Sequence, residues 1–86
     1  MPNPLTNNDL EQLAEHAQEA ALLLKQLSNQ HRLIILCSLI DGELSVTELN
    51  SRTNLSQSAL SQHLASLRNA GLVQTRREAQ TIFYQL

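Results

Sequence analysis

Ser45–Gly71 reads SVTELNSRTNLSQSALSQHLASLRNAG, and its parsing decides the fold. Ser45 with Glu48 three residues on has capping-box spacing, in which hydroxyl and carboxylate each take up a free backbone N–H at a helix start. The spacing predicts a short helix through about Thr53. Asn54-Leu55 make a turn, Ser56 is a second N-cap, and a longer helix runs to about Ala70, where Gly71 ends it. A short helix, a tight turn and a longer helix form the order of a helix-turn-helix. In the longer helix Leu60, Leu64 and Leu67 fall at i, i+4 and i+7 and must face a core. The other side carries Gln57, Ser58, Ser61, Gln62 and Ala65, with Arg68 toward the end and His63 between the two faces.

Downstream of Gly71 the period changes to two. Val73–Arg77 and Thr81–Leu86 are rich in Val, Ile, Thr, Phe and Tyr, which predicts two short strands around Glu78-Ala79-Gln80. Upstream, residues 30–40 are apolar nearly all round (Leu33, Ile34, Ile35, Leu36, Cys37, Leu39, Ile40), the mark of a central buried helix. Asp41-Gly42 end it. A first helix starts at Asn8, capped with Glu11, and runs to about Leu27, carrying the stripe Leu10, Leu13, Ala17, Ala20, Leu24 and Leu27. Residues 1–7 read as a loose tail ahead of a single domain spanning 1–86. The expected architecture is mainly α with a small β-hairpin: a winged helix-turn-helix, dimeric. The alanine-rich stripe of the first helix is the candidate pairing surface; its alternative is packing onto the second helix within one subunit.

Composition narrows the function classes. The net charge of −2 hides a polarity. Residues 1–51 hold two basic and seven acidic residues, net −5, whereas residues 52–77 hold four arginines and no acid, net +4. An acid-free second half can present a basic face to phosphate, and chance clustering of arginines would look the same. The one cysteine excludes an internal disulfide and a zinc-finger spacing. Met-Pro-Asn-Pro lacks the charge and apolar run of a signal peptide, and no apolar run could span a bilayer, so a cytoplasmic protein with no membrane partner is expected. Enzyme chemistry finds no support: His31 and Cys37 lie six residues apart on one helix, about 600° of rotation, and project from different faces. No carboxylate pair or glycine-rich phosphate loop appears.

The residues suited to duplex DNA are Gln57, Ser58, Ser61 and Gln62, which can read base edges in a major groove. A plain solvated helix face is the alternative for the same Ser and Gln residues. Arg68, Arg76, Arg77 and Gln80 surround the end of that helix and the hairpin tip, where phosphates or a minor groove would lie. Phosphate contact would make binding fall with salt by about 0.9 log units per charge neutralised. His63 suits either a phosphate contact or the edge of the core. Arg52 is a lesser candidate, for phosphate or for solvent. Phe83 and Tyr84 point to opposite faces of a strand and suit packing.

Four strings, QHRLIILC (Gln30–Cys37), LSVTEL (Leu44–Leu49), LSQSALSQHL (Leu55–Leu64) and RREAQTIFY (Arg76–Tyr84), resemble the ArsR/SmtB family of bacterial repressors over roughly Leu22–Leu86. The resemblance implies a homodimer on an imperfect palindrome in double-stranded DNA, released when a small inducer binds or reacts. Where many arsenic and cadmium sensors of the family carry a Cys-Val-Cys-type motif, this chain has Ser45-Val46-Thr47. Hydroxyls are poor ligands for soft metals, so no metal and no cofactor are expected. Cys37 resembles the helix-two cysteine of the thiol- and persulfide-responsive BigR/SqrR/HlyU-like branch. That likeness implies redox sensing of an oxidant or reactive sulfur, with a partner cysteine on a last dimerisation helix beyond Leu86. Read by itself, Cys37 is as well explained as a small buried hydrophobe. The function expected is transcription regulation from a palindromic promoter site, by a repressor released at Cys37. An anti-silencing activator and a winged helix used only for protein contacts are the alternatives.

Overall fold

Local capping chemistry sets most of the element boundaries. The structure, a computed structural model, describes residues 6–86. It runs α1 (Asn7–Leu27), α2 (Gln30–Ser38), β1 (Leu44–Ser45), α3 (Val46–Thr53), α4 (Gln57–Asn69), β2 (Gln74–Glu78) and β3 (Thr81–Gln85). The Ser45–Glu48 capping box forms as expected, with the Ser45 N–H donating to Glu48 Oε1 (3.0 Å) and the Glu48 N–H to Ser45 Oγ (3.2 Å). Asn29 caps α2, its Oδ1 accepting from the His31 and Arg32 N–H groups. Ser56 caps α4 by accepting from the Ala59 N–H. Asn54 takes a left-handed φ of 56° at the end of α3, which makes the turn into α4, and Asn tolerates that region better than most residues. Gly71 does the same after α4 with φ 76°.

Three expectations are corrected. The first helix is capped by Thr6 and not by Asn8: Thr6 and Asp9 form the capping box, and the helix gains its first residues. Thr6 and Asn7, expected in a loose tail, thus belong to the helix start, and residues 1–5 of that expectation lie outside the described residues. The second helix is not buried all round. Ile35 on it and Leu39 at its cap are buried, while Leu33, Ile34, Cys37 and Ile40 are exposed. Within one chain α2 meets α1, α3 and α4. Finally, the sheet has three strands in the order β1-β3-β2, all antiparallel. Leu44 pairs with Tyr84 and Ser45 with Phe83, so two residues suffice to tie the start of α3 to the hairpin.

The core is small and sits between α2, α3, α4 and the sheet. Ile35, Leu39, Leu49, Leu60, Leu64, Leu67 and Val73 form it, with Leu36, Leu44, Val46, Leu55, Leu72 and Tyr84 packed around. Each fully buried leucine contributes about 1.5–3 kcal/mol. α1 buries none of its residues. It is held at its C-terminal end, where Arg32 of α2 donates to the Gln26 and Lys25 carbonyls (2.9 and 3.3 Å) and Ser66 Oγ of α4 donates to Gln26 Oε1 (2.9 Å).

Candidate nucleic-acid interface

α4 is fixed on one side and open on the other. Leu60, Leu64 and Leu67 seat it in the core, which leaves Gln57, Ser58, Ser61, Gln62, Ala65 and Arg68 exposed along one face. No acid lies on the helix, and its single charge, Arg68, stands in the last turn. The N-terminal turn therefore offers helix-dipole charge and free backbone N–H groups to an anion, beside uncharged Gln and Ser side chains.

The sheet places the wing residues by alternation. On β2, Thr75 and Arg77 face the same way as Ile82 and Tyr84 of β3; Arg76 faces the other way, opposite Phe83. Arg68, Thr75 and Arg77 line one groove with Ile82 and Tyr84, of about 270 Å³, and Arg76 borders it as well. The three arginines expected at phosphate, one from α4 and two from the wing, border it together. Gln80, at the exposed hairpin tip, lines a second groove with Thr81, Thr47 and Gln57.

The Arg76 guanidinium is taken up by carboxylates. Its Nε and Nη2 donate to the two carboxylate oxygens of Glu43, and its Nη1 donates to Glu78 Oε2 at 3.0 Å. Its guanidinium carbon lies 4.6 Å from the centroid of the Phe83 ring. Hydrogen bonding to Arg76 holds the Glu43 carboxyl below its ordinary range, and the two carboxylates push the guanidinium further above its own.

His63 is half-buried in the seam between α4 and α2, its ring 5.8 Å from that of His31. Burial, then the nearby Arg32 and His31, keep its pKa below the ordinary histidine value. Arg52 lines a groove with Asp41 and Glu43, among acids that a phosphate would avoid. Cys37 is an exposed free thiol on α2, contrary to burial among Leu and Ile.

Sequence reasoning missed the outer face of α3. Thr47 and Ser51 are exposed, with half-buried Asn50 between them, and all three line a groove beside Gln57. The signal was present in the helical spacing, since 47 and 51, one turn apart, lie away from the buried Leu49 and Thr53, with 50 beside them. Among the described residues, no group of three or more His, Cys, Asp or Glu residues is placed to hold a metal ion. Among the described residues, no helix is long and apolar enough to cross a membrane.

Residues 29–75 match the family described as bacterial regulatory protein, arsR family. The chain is 59% identical to the transcriptional activator HlyU of Vibrio cholerae, over 91% of this chain and 72% of that protein. It is 49% identical to the biofilm growth-associated repressor of Agrobacterium fabrum, over 86% of this chain but only 63% of that protein. Reduced HlyU from Vibrio cholerae superposes with a TM-score of 0.84 at 59% identity, covering 88% of this chain and 80% of that one.

Proposed function

The chain belongs to the arsR family of bacterial regulatory proteins, a family of DNA-binding transcriptional regulators, and from that premise we propose how this member engages its site. It binds a palindromic promoter sequence as a homodimer, with α4 of each subunit in a major groove. Gln57, Ser58, Ser61 and Gln62 read base edges, Arg68 and Arg77 take phosphates, and Gln80 follows the wing tip to the neighbouring groove. The observation that carries this reading is the acid-free outer face of α4, ending in a groove shared by Arg68 and Arg77. His63 belongs to the α2–α4 seam in this reading and leaves phosphate to the arginines. The unburied apolar stripe of α1 supports the dimer, since a helix of 21 residues with no buried side chain has its packing still to do.

The exposure of Cys37 supports a second element, release from DNA by reactive sulfur. The Cys37 thiolate attacks the terminal sulfur of a hydropersulfide, R–S–SH; Cys37 gains that sulfur as its own persulfide, and R–S⁻ leaves. One relative is named an activator and another a repressor; we assign repression by occupancy here, with anti-silencing the other outcome of a reporter assay.

Fluorescence anisotropy on a labelled promoter duplex, titrated across salt, tests the proposal. Arg77→Ala is expected to weaken all duplexes alike and to flatten the salt slope by about one unit. Gln57→Ala and Gln62→Ala are expected to change sequence preference; unchanged preference in both removes the assigned reading face. Binding by wild type at low salt to no duplex assigns the winged unit to protein contacts instead. Persulfide treatment is expected to release wild type and to leave Cys37→Ser bound.

A further inference from the structure

We propose that Arg76 is a wing-positioning residue and not a phosphate ligand: clamped by Glu43 and stacked on Phe83, it locks the β2–β3 hairpin to the loop between α2 and β1. This sets the height at which Arg77 and Gln80 meet the duplex, and it rests on the DNA-binding reading above. Arg76 lies at the wing and Glu43 lies 33 residues earlier, and the fork of the guanidinium meets both oxygens of that carboxylate. Such a pair fixes an angle as well as a distance, which a single-point ammonium contact does not. Glu43 is brought there by the backbone. Gly42 turns the loop with φ 144°, and Leu44, the next residue along, enters the ladder opposite Tyr84. Phe83, the cross-strand partner of Arg76, supplies the third contact from beneath.

Alternation gives the neighbouring arginines different tasks. Arg76 and Arg77 leave β2 toward opposite faces, paired with Phe83 and Ile82. Both border the groove that Arg68 lines, but the donors of Arg76 are taken up by Glu43 and Glu78, which leaves Arg77 and Arg68 for phosphate. The pairing has a second effect. Glu43 and Glu78 are the acids beside the wing, and their charge is partly neutralised by Arg76 before DNA arrives.

Arg76→Gln, Arg76→Lys and Arg77→Gln separate the two roles, measured in the full chain by anisotropy across salt and by amide exchange of the hairpin. The clamp predicts that both Arg76 variants bind roughly threefold more weakly, because neither can fork onto Glu43. Both should keep the wild-type salt slope, and the amides of Gln74–Gln85 should exchange faster in each. Arg77→Gln should instead lose about one unit of slope with unchanged hairpin exchange. Wild-type binding by Arg76→Lys together with a lost slope unit in Arg76→Gln makes Arg76 a phosphate ligand and overturns the clamp. So does hairpin exchange that neither Arg76 substitution alters. If wild type binds no duplex, the DNA reading fails alone, and the exchange measurement still decides whether the clamp exists.

Discussion

α1 and α4 carry leucines at the same threes and fours, and they bury opposite amounts. Leu60, Leu64 and Leu67 of α4 are buried, whereas Leu13 and Leu24 of α1 stand 53% and 64% exposed. Both helices begin at a hydroxyl cap, Thr6 and Ser56. Spacing therefore says that a helix has an apolar partner and is silent on whether the same chain provides it. In α4 the partner is the chain's own core. In α1 the end of the helix is anchored at Gln26 and Lys25, and Leu10, Leu13 and Leu24 of the stripe stay exposed.

The largest effect expected separates the two helices directly. Leu64→Ala removes a side chain that is 2% exposed and should lower the unfolding free energy by about 3 kcal/mol. Leu13→Ala, at a protein concentration too low for association, should change it by less than about 0.5 kcal/mol. Urea unfolding followed by circular dichroism gives both numbers. A large cost at Leu13 in the monomer would mean that α1 folds back onto the core in solution.

A charge on the same stripe sharpens the contrast. Leu13→Glu with Leu24→Glu should weaken self-association at least about tenfold, because a carboxylate buried without a partner is costly. Analytical ultracentrifugation reads the change, and the urea midpoint of the dilute protein should stay near that of wild type. Undiminished association would place the subunit interface away from α1.

These two helices also show where legibility ended. α3, α4 and the hairpin were readable because their signals are local: Ser45 with Glu48, Ser56 ahead of a leucine ladder, Gly71 closing it, then alternation. The exposed side of α2 was not readable, since Leu33, Ile34 and Cys37 are as apolar as their buried neighbour Ile35 and only the tertiary arrangement tells them apart. β1 went unseen because two residues carry no period. Without β1, nothing linked Glu43 to Arg76, and Arg76 read as one more arginine near phosphate. The seat of His63 depends on His31, a residue of another helix. Candidate residues on a local surface were thus visible, and those defined by a distant partner were not.

The seam that joins α4 to α2 should respond to acid. His63 has its pKa lowered in the folded protein from the ordinary value of 6.5, first by burial and then by Arg32 and His31. Below that value the unfolded chain binds more protons than the folded one, so the stability that neutral His63 provides is present above pH 6.5 and declines as pH falls through it. His63→Gln should therefore flatten the stability curve between about pH 7 and 5, measured as the difference from wild type. An unchanged pH dependence would mean that His63 titrates freely in the folded state and that the seam is open to water.

The smallest expected effect lies in the packed half, at the tip of the wing. Where the backbone turns left-handed after α4, the chain uses Gly71, and after α3 it uses Asn54; in the hairpin turn it uses Ala79, with φ 55°. An alanine in that region costs about 1–2 kcal/mol from the clash of Cβ with the following carbonyl. Glycine escapes the clash but gives up more freedom on folding. Ala79→Gly should thus stabilise the protein by about 0.5 kcal/mol net, seen as a small rise in urea midpoint. The hairpin amides should exchange more slowly, in contrast to the Arg76 variants. Loss of stability instead would show that the turn relaxes to negative φ in solution, and that the wing is set by the Arg76–Glu43 clamp with little help from its own turn.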